Sequence, residues 1–324
     1  MRLLPLAVVA GATFLVAQEP FRARDFLPDD YNSTAFLDLA ALRDTGVWDE
    51  LDNGVLRLLL QKIEREAGFE LALLDRMTIV MQPPEAGDKV QQLRQITILE
   101  GNAPLAVPDR IAGSRSYGDD IIGDYVVKRR QAFDDEVFLR PRPEVQILGS
   151  TAMLRPRLEG KPATGRPCAD ILSLLSGKRG SLFHLVVHLG NATVKRRFLG
   201  GLFPDAQWPA GDEPQYLMLR LCAEGDEDDP RIGVEAVVRH AVVGEGVVAS
   251  EKALDLALAK VADRARLRSL QPLLAKLERK LDRGDLVLRL DLGRAREASS
   301  WLMRLVVPLL TADEVAASEP QPRK

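Results

Sequence analysis

The chain has 324 residues, 46% apolar and 28% charged, a composition that suits one large packed domain or two lobes. Its net charge of −3 excludes a general electrostatic pull toward nucleic acid or an anionic membrane. The aromatic content of 5% removes the stacking platform expected for single-stranded nucleic acid or sugars.

From the N-terminus, Met1-Arg2 gives a positive start, Leu3–Val16 an apolar run, and Ala17 a small-residue exit before Gln18-Glu19-Pro20. That pattern predicts an export signal over residues 1–17 and a mature chain in the periplasm or outside the cell. The apolar run is shorter than the roughly 20 residues a membrane span needs. No cysteine follows it to carry a lipid, and no integral membrane segment is expected after signal removal.

The segment beginning Phe26-Leu-Pro-Asp-Asp continues through Thr34-Ala-Phe-Leu-Asp-Leu and Leu42-Arg-Asp-Thr-Gly-Val-Trp48-Asp-Glu-Leu51. It resembles the starts of uncharacterised exported bacterial proteins, in which a Pro-Asp step leads into a strand and then an amphipathic helix carrying Gly-x-Trp. The resemblance covers about 30 residues, and its motifs are structural. It implies an α+β fold and no particular activity.

Predicted strands then follow at Thr34–Leu39, Arg76–Gln82, Gln91–Glu100, Asp124–Arg130, Glu136–Arg140, Glu144–Gly149 and Ser181–Leu189, with a helix over Gly54–Ala67. Leu217, Leu219 and Leu221 alternate with Met218, Arg220 and Cys222. Ile232, Val234, Ala236 and Val238 alternate with Gly233, Glu235, Val237 and Arg239. Leu286, Leu288, Leu290 and Leu292 alternate with Asp285, Val287, Arg289 and Asp291. A period of two with one polar face describes antiparallel strands covered on one side. Residues 251–280 read as two helices, the second marked by Leu270, Leu273, Leu274, Leu277 and Leu281, with Pro272 in its first turn. Ala298, Trp301, Leu302, Leu305, Val306, Leu309 and Leu310 make a further helical stripe.

These readings give an α+β fold: largely antiparallel sheet with helices packed on one face, in two lobes related by duplication. The repeat reads as strand 34–39, helical 40–72 and strand 76–82 against strand 231–243, helical 250–281 and strand 285–292. The lobes are placed at 21–162 and 163–310, with a disordered tail over 311–324. Charge is uneven between them: residues 21–120 hold 11 basic and 18 acidic groups, while 121–200 hold 14 and 7.

No catalytic constellation stands out. Gly244-Glu-Gly246-Val-Val-Ala249 fits a dinucleotide fingerprint, but the strand before it is polar on one face and no second strand follows its helix, so a glycine-containing turn with Ser250 as helix cap is the better reading. His184 and His188 would meet on a helix; on a strand they share a face about 13 Å apart, too far for one metal ion. Ser150, in Leu148-Gly-Ser-Thr-Ala, lacks the flanking Gly-x-Ser-x-Gly, and Ser150 or Thr151 reads as a helix cap. A dispersed hydrolase site would draw on Ser150, His184, His188, His240 and nearby carboxylates. Glu224–Pro230 lacks the spacing of a calcium loop and reads as a solvated hairpin. Arg129, Arg155, Arg157 and Arg196, in three basic strings, are the candidates for an anion site. Cys168 and Cys222 would, if paired, contribute about 4 kcal/mol by loop entropy.

The sequence therefore points to an exported, non-enzymatic structural or interaction protein without cofactor or metal. It would meet an unknown protein or cell-envelope partner, and not nucleic acid, through the solvated sheet face or a groove between lobes. The alternatives are a carrier of a small or lipid-like ligand in a sheet–helix cavity, and a hydrolase with a sequence-dispersed site.

Overall fold

In the computed structural model the described residues are 21–28, 31–51, 57, 61, 64–65, 70–82, 94–112, 116–130, 136–161, 181–192, 194–196, 199, 207–225, 229–241, 244–263, 270–302 and 304. The export signal, the 162/163 boundary, Cys168 and the 311–324 tail lie outside them. Of the stretch 54–67, Arg57, Gln61, Glu64 and Arg65 are described and helical.

Twelve strands form one antiparallel sheet. They are β1 (Ser33–Asp38), β2 (Leu74–Met81), β3 (Gln95–Gly101), β4 (Tyr117–Ile122), β5 (Tyr125–Arg130), β6 (Glu136–Arg142), β7 (Val145–Ser150), β8 (Ser181–His188), β9 (Tyr216–Glu224), β10 (Arg231–Arg239), β11 (Glu278–Asp282) and β12 (Asp285–Gly293). Helices among the described residues include α1 (Leu39–Asp44), α2 (Val47–Leu51), α3 (Asp109–Ala112), α4 (Thr151–Leu158), α5 (Glu245–Asp263) and α6 (Gln271–Leu274), with a terminal helical segment over 295–302. The α+β class and antiparallel pairing are those the alternation predicts. Among the described residues no helix is long and apolar enough to cross a membrane.

The sheet order is β11-β12-β10-β9-β8-β1-β2-β3-β7-β6-β5-β4. Outward from the central β8–β1 pair, β1-β2-β3-β7-β6 runs one way and β8-β9-β10-β12-β11 the other, with the β4–β5 hairpin added to the first half. This repeat matches β10 to β3, not to β1 as the strand–helix–strand pattern suggested. Both β1–β2 and β10–β12 are antiparallel neighbours bridged by helices. That shared feature produced the earlier match.

The strand alternation sorts the core. On one face, Leu37, Leu99, Leu221, Val234 and Leu290 pack with Leu39 and Leu42 of α1, Val47 of α2 and Leu273 of α6. Farther along the same face, Val238 and Leu286 pack with Val247 and Leu254 of α5. On the opposite face, Met153, Leu154 and Leu158 of α4, with Phe26 and Leu27, cover Ile96, Ile98, Leu139 and Ile147. Each such fully buried aliphatic side chain contributes about 1.5–3 kcal/mol. Asp38 caps α1, its Oδ1 accepting the Ala41 N–H at 2.9 Å.

Two local expectations are corrected. Residues 278–282, read as the end of a helix, are β11: α6 stops at Leu274, and Arg283–Gly284 turn the chain into β12. All five residues of β11 are exposed, so this edge strand has no buried face to imprint a period. Tyr117–Ile122, not predicted as a strand, is the opposite edge, β4. Ser150 occupies the N-cap position of α4, as the sequence reading has it, without a side-chain cap hydrogen bond.

Candidate interaction face

The face of the sheet opposite α5 and α6 is built by the alternate residues of β9, β10, β12 and β11, and none of the labelled helices covers it. Register brings its charges into rows. Arg220, Glu235 and Arg289 are direct cross-strand partners, as are Met218, Val237 and Val287, and Arg239 and Asp285. Glu235 takes Arg220 on one oxygen at 3.3 Å and Arg289 on the other at 3.0 Å. Arg239 holds Asp285 with two parallel bonds of 2.9 and 2.7 Å. Lys280 reaches Asp282 at 3.5 Å on the edge strand. Between the ionic rows, Val237 and Met218 are buried and join the core of the first half. The face is thus a neutralised lattice of charges around an apolar strip.

The Arg220–Glu235–Arg289 row continues through His184 on β8, opposite Arg220, to Phe36 on β1, opposite His184. His184 is buried and meets the Phe36 ring edge-on at 6.4 Å. His188 lies four residues along the strand on the same face, its ring tilted against Tyr216 at 4.9 Å. The strand reading of these histidines holds, and they sit beside arginines and aromatics. Among the described residues no group of three His, Cys, Asp or Glu is placed to hold a metal.

A smaller charged row, Asp38–Arg76–Glu100, lies on the same face across β1, β2 and β3. Arg76 reaches Asp38 at 3.5 Å. Burial raises the Glu100 carboxyl above its ordinary value; Arg76 pulls it down, while Asp75 and Asp38 add to the rise. A carboxyl raised in the folded state favours folding below its unfolded value, about 4.3, and loses that contribution as pH rises through the folded value. Glu100→Gln is therefore expected to be more stable than the native chain at pH 7 and equal to it near pH 3. Urea midpoints at both pH values test this, and an absent gain at pH 7 contradicts it.

The other candidate residues are dispersed. Ser150, on β7, is four strand steps from the β8 histidines, about 19 Å at the usual spacing. The structure does not bring it to them. Arg129 pairs with Asp120 at 3.5 Å, Arg155 with Glu159 at 3.5 Å, and Arg157 donates to the Lys161 carbonyl at 2.8 Å. Arg196 is exposed in the segment after β8. In the Glu224–Pro230 loop, Asp229 pairs with Arg294 at 3.0 Å. Cys222 is buried on β9.

Gly246 lies in the first turn of α5, after a strand antiparallel to both its neighbours, which is not dinucleotide-binding topology. A Cβ on Gly246 would overlap the Asp212 carbonyl oxygen, whereas Gly244 has looser surroundings. That close approach positions a polar cluster. The same Asp212 oxygen accepts from His240 Nδ1 at 2.7 Å, which leaves Nε2 to accept the Ser250 hydroxyl at 2.9 Å. Trp208 Nε1 in turn donates to Ser250 Oγ at 2.8 Å. Ser250 sits within α5 rather than capping it. A serine on a histidine is nucleophile–base geometry, but Ser250 is 1% exposed. In this arrangement the cluster ties α5 to the end of β10 and the 207–215 loop. Ser250→Ala, which takes a partner from both Trp208 and His240, is expected to cost about 2 kcal/mol by urea unfolding; a loss below about 0.5 kcal/mol contradicts the tie.

Sequence reasoning noted the alternation that carries Arg220, Glu235, Arg239, Asp285 and Arg289 but did not assemble them, because their adjacency depends on which strands pair. No protein-family model and no curated protein matches the chain. Solved structures of TP0453 are similar in outline. Crystal form I gives a TM-score of 0.45 at 10% identity, covering 87% of this chain and 96% of that one. Form III gives 0.43 at 11%, covering 87% and 97%, and form IV gives 0.40 at 10%, covering 86% and 95%.

Proposed function

We propose that the protein is exported and acts as a non-enzymatic interaction module, docking a protein of the cell envelope on the face formed by β9, β10, β12 and β11. The observation that carries this reading is the ionic lattice that strand register assembles on this face, Arg220–Glu235–Arg289 and Arg239–Asp285. Such a surface presents directional, pre-ordered charge pairs to a partner of complementary charge pattern. Side chains already held by cross-strand partners lose little further entropy on docking. The signal-like pattern of residues 1–17 supports an envelope location, where such a partner would be met.

Lysine footprinting tests the reading. Lys280 lies on this face and Lys161 follows α4 at the other end of the molecule; both are exposed. Adding the source organism's own envelope fraction is expected to protect Lys280 from acetylation while Lys161 reacts as before. Equal reactivity of Lys280 with and without that fraction contradicts the proposal. Recovery of the chain in the cytoplasm with residues 1–17 intact contradicts the export half of it.

A further inference from the structure

Beside the terminal helical segment, a cavity of about 470 Å³ opens between the sheet and that helix, lined by Arg231, Lys276, Asp291, Arg296, Glu297 and Trp301 among others. Its acids are engaged within its own wall. Arg231 donates twice to one Asp291 oxygen, through Nε at 3.1 Å and through Nη2, and the other oxygen accepts the Gly293 N–H at 2.8 Å. The Arg231 hydrogen bond holds the Asp291 carboxyl below its ordinary range, with help from Gly293 and Lys276. Glu297 folds its carboxylate against Gly293, where any Cβ would overlap it.

The cations are less fully matched. Three of them face two carboxylates; Lys276 acts through its charge on Asp291, and Arg296 has no ion pair among the described residues. Next to them stands the half-buried indole of Trp301, with Arg304 packed over it at 4.8 Å. Low aromatic content is no obstacle when one indole lines the cavity. The volume falls in the range of small-ligand sites, roughly 300–1,000 Å³.

We propose that this cavity binds an acidic saccharide. The flat indole suits the C–H face of a sugar ring, as aromatic side chains serve other ring ligands. Asp291, Glu297 and Ser300 offer polar atoms to hydroxyl groups. Lys276 and Arg296 bring the one excess positive charge of the lining to the sugar carboxylate. A neutral sugar would leave that excess charge unmatched, and a small anion would leave the indole unused. The inference does not depend on the docking reading, since none of the residues that line the cavity belongs to the ionic lattice.

Calorimetric titration of the full chain separates the cases, with digalacturonic acid, lactose and acetate as probes. Digalacturonic acid is expected to bind at least about tenfold more tightly than either other probe. Lys276→Gln and Arg296→Gln, both changes at exposed positions, should each weaken it about tenfold or more, and Trp301→Ala should abolish it with circular dichroism unchanged. Should Trp301→Ala unfold the chain, the two glutamine variants decide alone. The proposal is overturned by absent binding of digalacturonic acid, by equal binding of acetate or lactose, or by unchanged affinity in both glutamine variants.

Discussion

Glu235→Ala is expected to cost the fold about 3 kcal/mol, the usual scale for removing one partner of a buried ion pair. The Glu235 and Arg220 side chains are only 10% and 11% exposed. Alanine therefore takes a near bond from a guanidinium that water reaches poorly. The other partner, Arg289, is 59% exposed, and Arg289→Ala is expected to cost under about 1 kcal/mol. The double change Arg220→Met with Glu235→Leu removes both buried charges together and is expected to recover most of the loss, because desolvation then disappears with attraction. Equal, small losses for Glu235→Ala and Arg289→Ala would show that the lattice is a set of independent surface pairs.

Gly123→Ala is expected to cost about 3 kcal/mol or more, and for two separable reasons. Gly123 turns the β4–β5 hairpin at φ +57°, where an L side chain costs about 1–2 kcal/mol. A Cβ there would also overlap the Leu158 carbonyl oxygen at the end of α4, a backbone atom with little room to yield. Gly160 has φ +74° but nothing within 4 Å of its Cβ position. Gly160→Ala therefore carries the conformational cost without the clash and should lose about 1–2 kcal/mol. If both variants lose the same amount, the hairpin does not rest on α4 as described.

The leucines at 286, 288, 290 and 292 show what was legible in the chain. Their alternation with Asp285, Val287, Arg289 and Asp291 foretold a strand with one apolar face, and Leu286 and Leu292 are buried while Arg289 and Asp291 stay exposed. The strand reading of His184 and His188 came from the same logic. Strand order was not legible, because β12 pairs with β10 across a helix and β1 pairs with β8 across more than a hundred residues. Hence Glu235 could be placed on a polar face but not between Arg220 and Arg289.

Edge strands were missed for a related reason. A strand exposed on both faces, as β11 is, has no burial to impose alternation, so Leu277 and Leu281 suggested a helix instead. Gly246 was read for the wrong property: its spacing from Gly244 imitates a phosphate loop, while its role is to admit the Asp212 carbonyl. The cavity around Trp301 combines residues of β10, β12, the turn after α6 and the terminal helix, and no sequence window contains them together.

Photo-cross-linking in intact cells tests most directly whether the charged face meets a partner. A benzophenone side chain at Lys280 or Val287 is expected to give a protein adduct that Glu235→Arg abolishes, while the same group at Val126, exposed on the β4–β5 hairpin, gives none. No adduct from Lys280 or Val287, or the same adduct from Val126, would contradict the account.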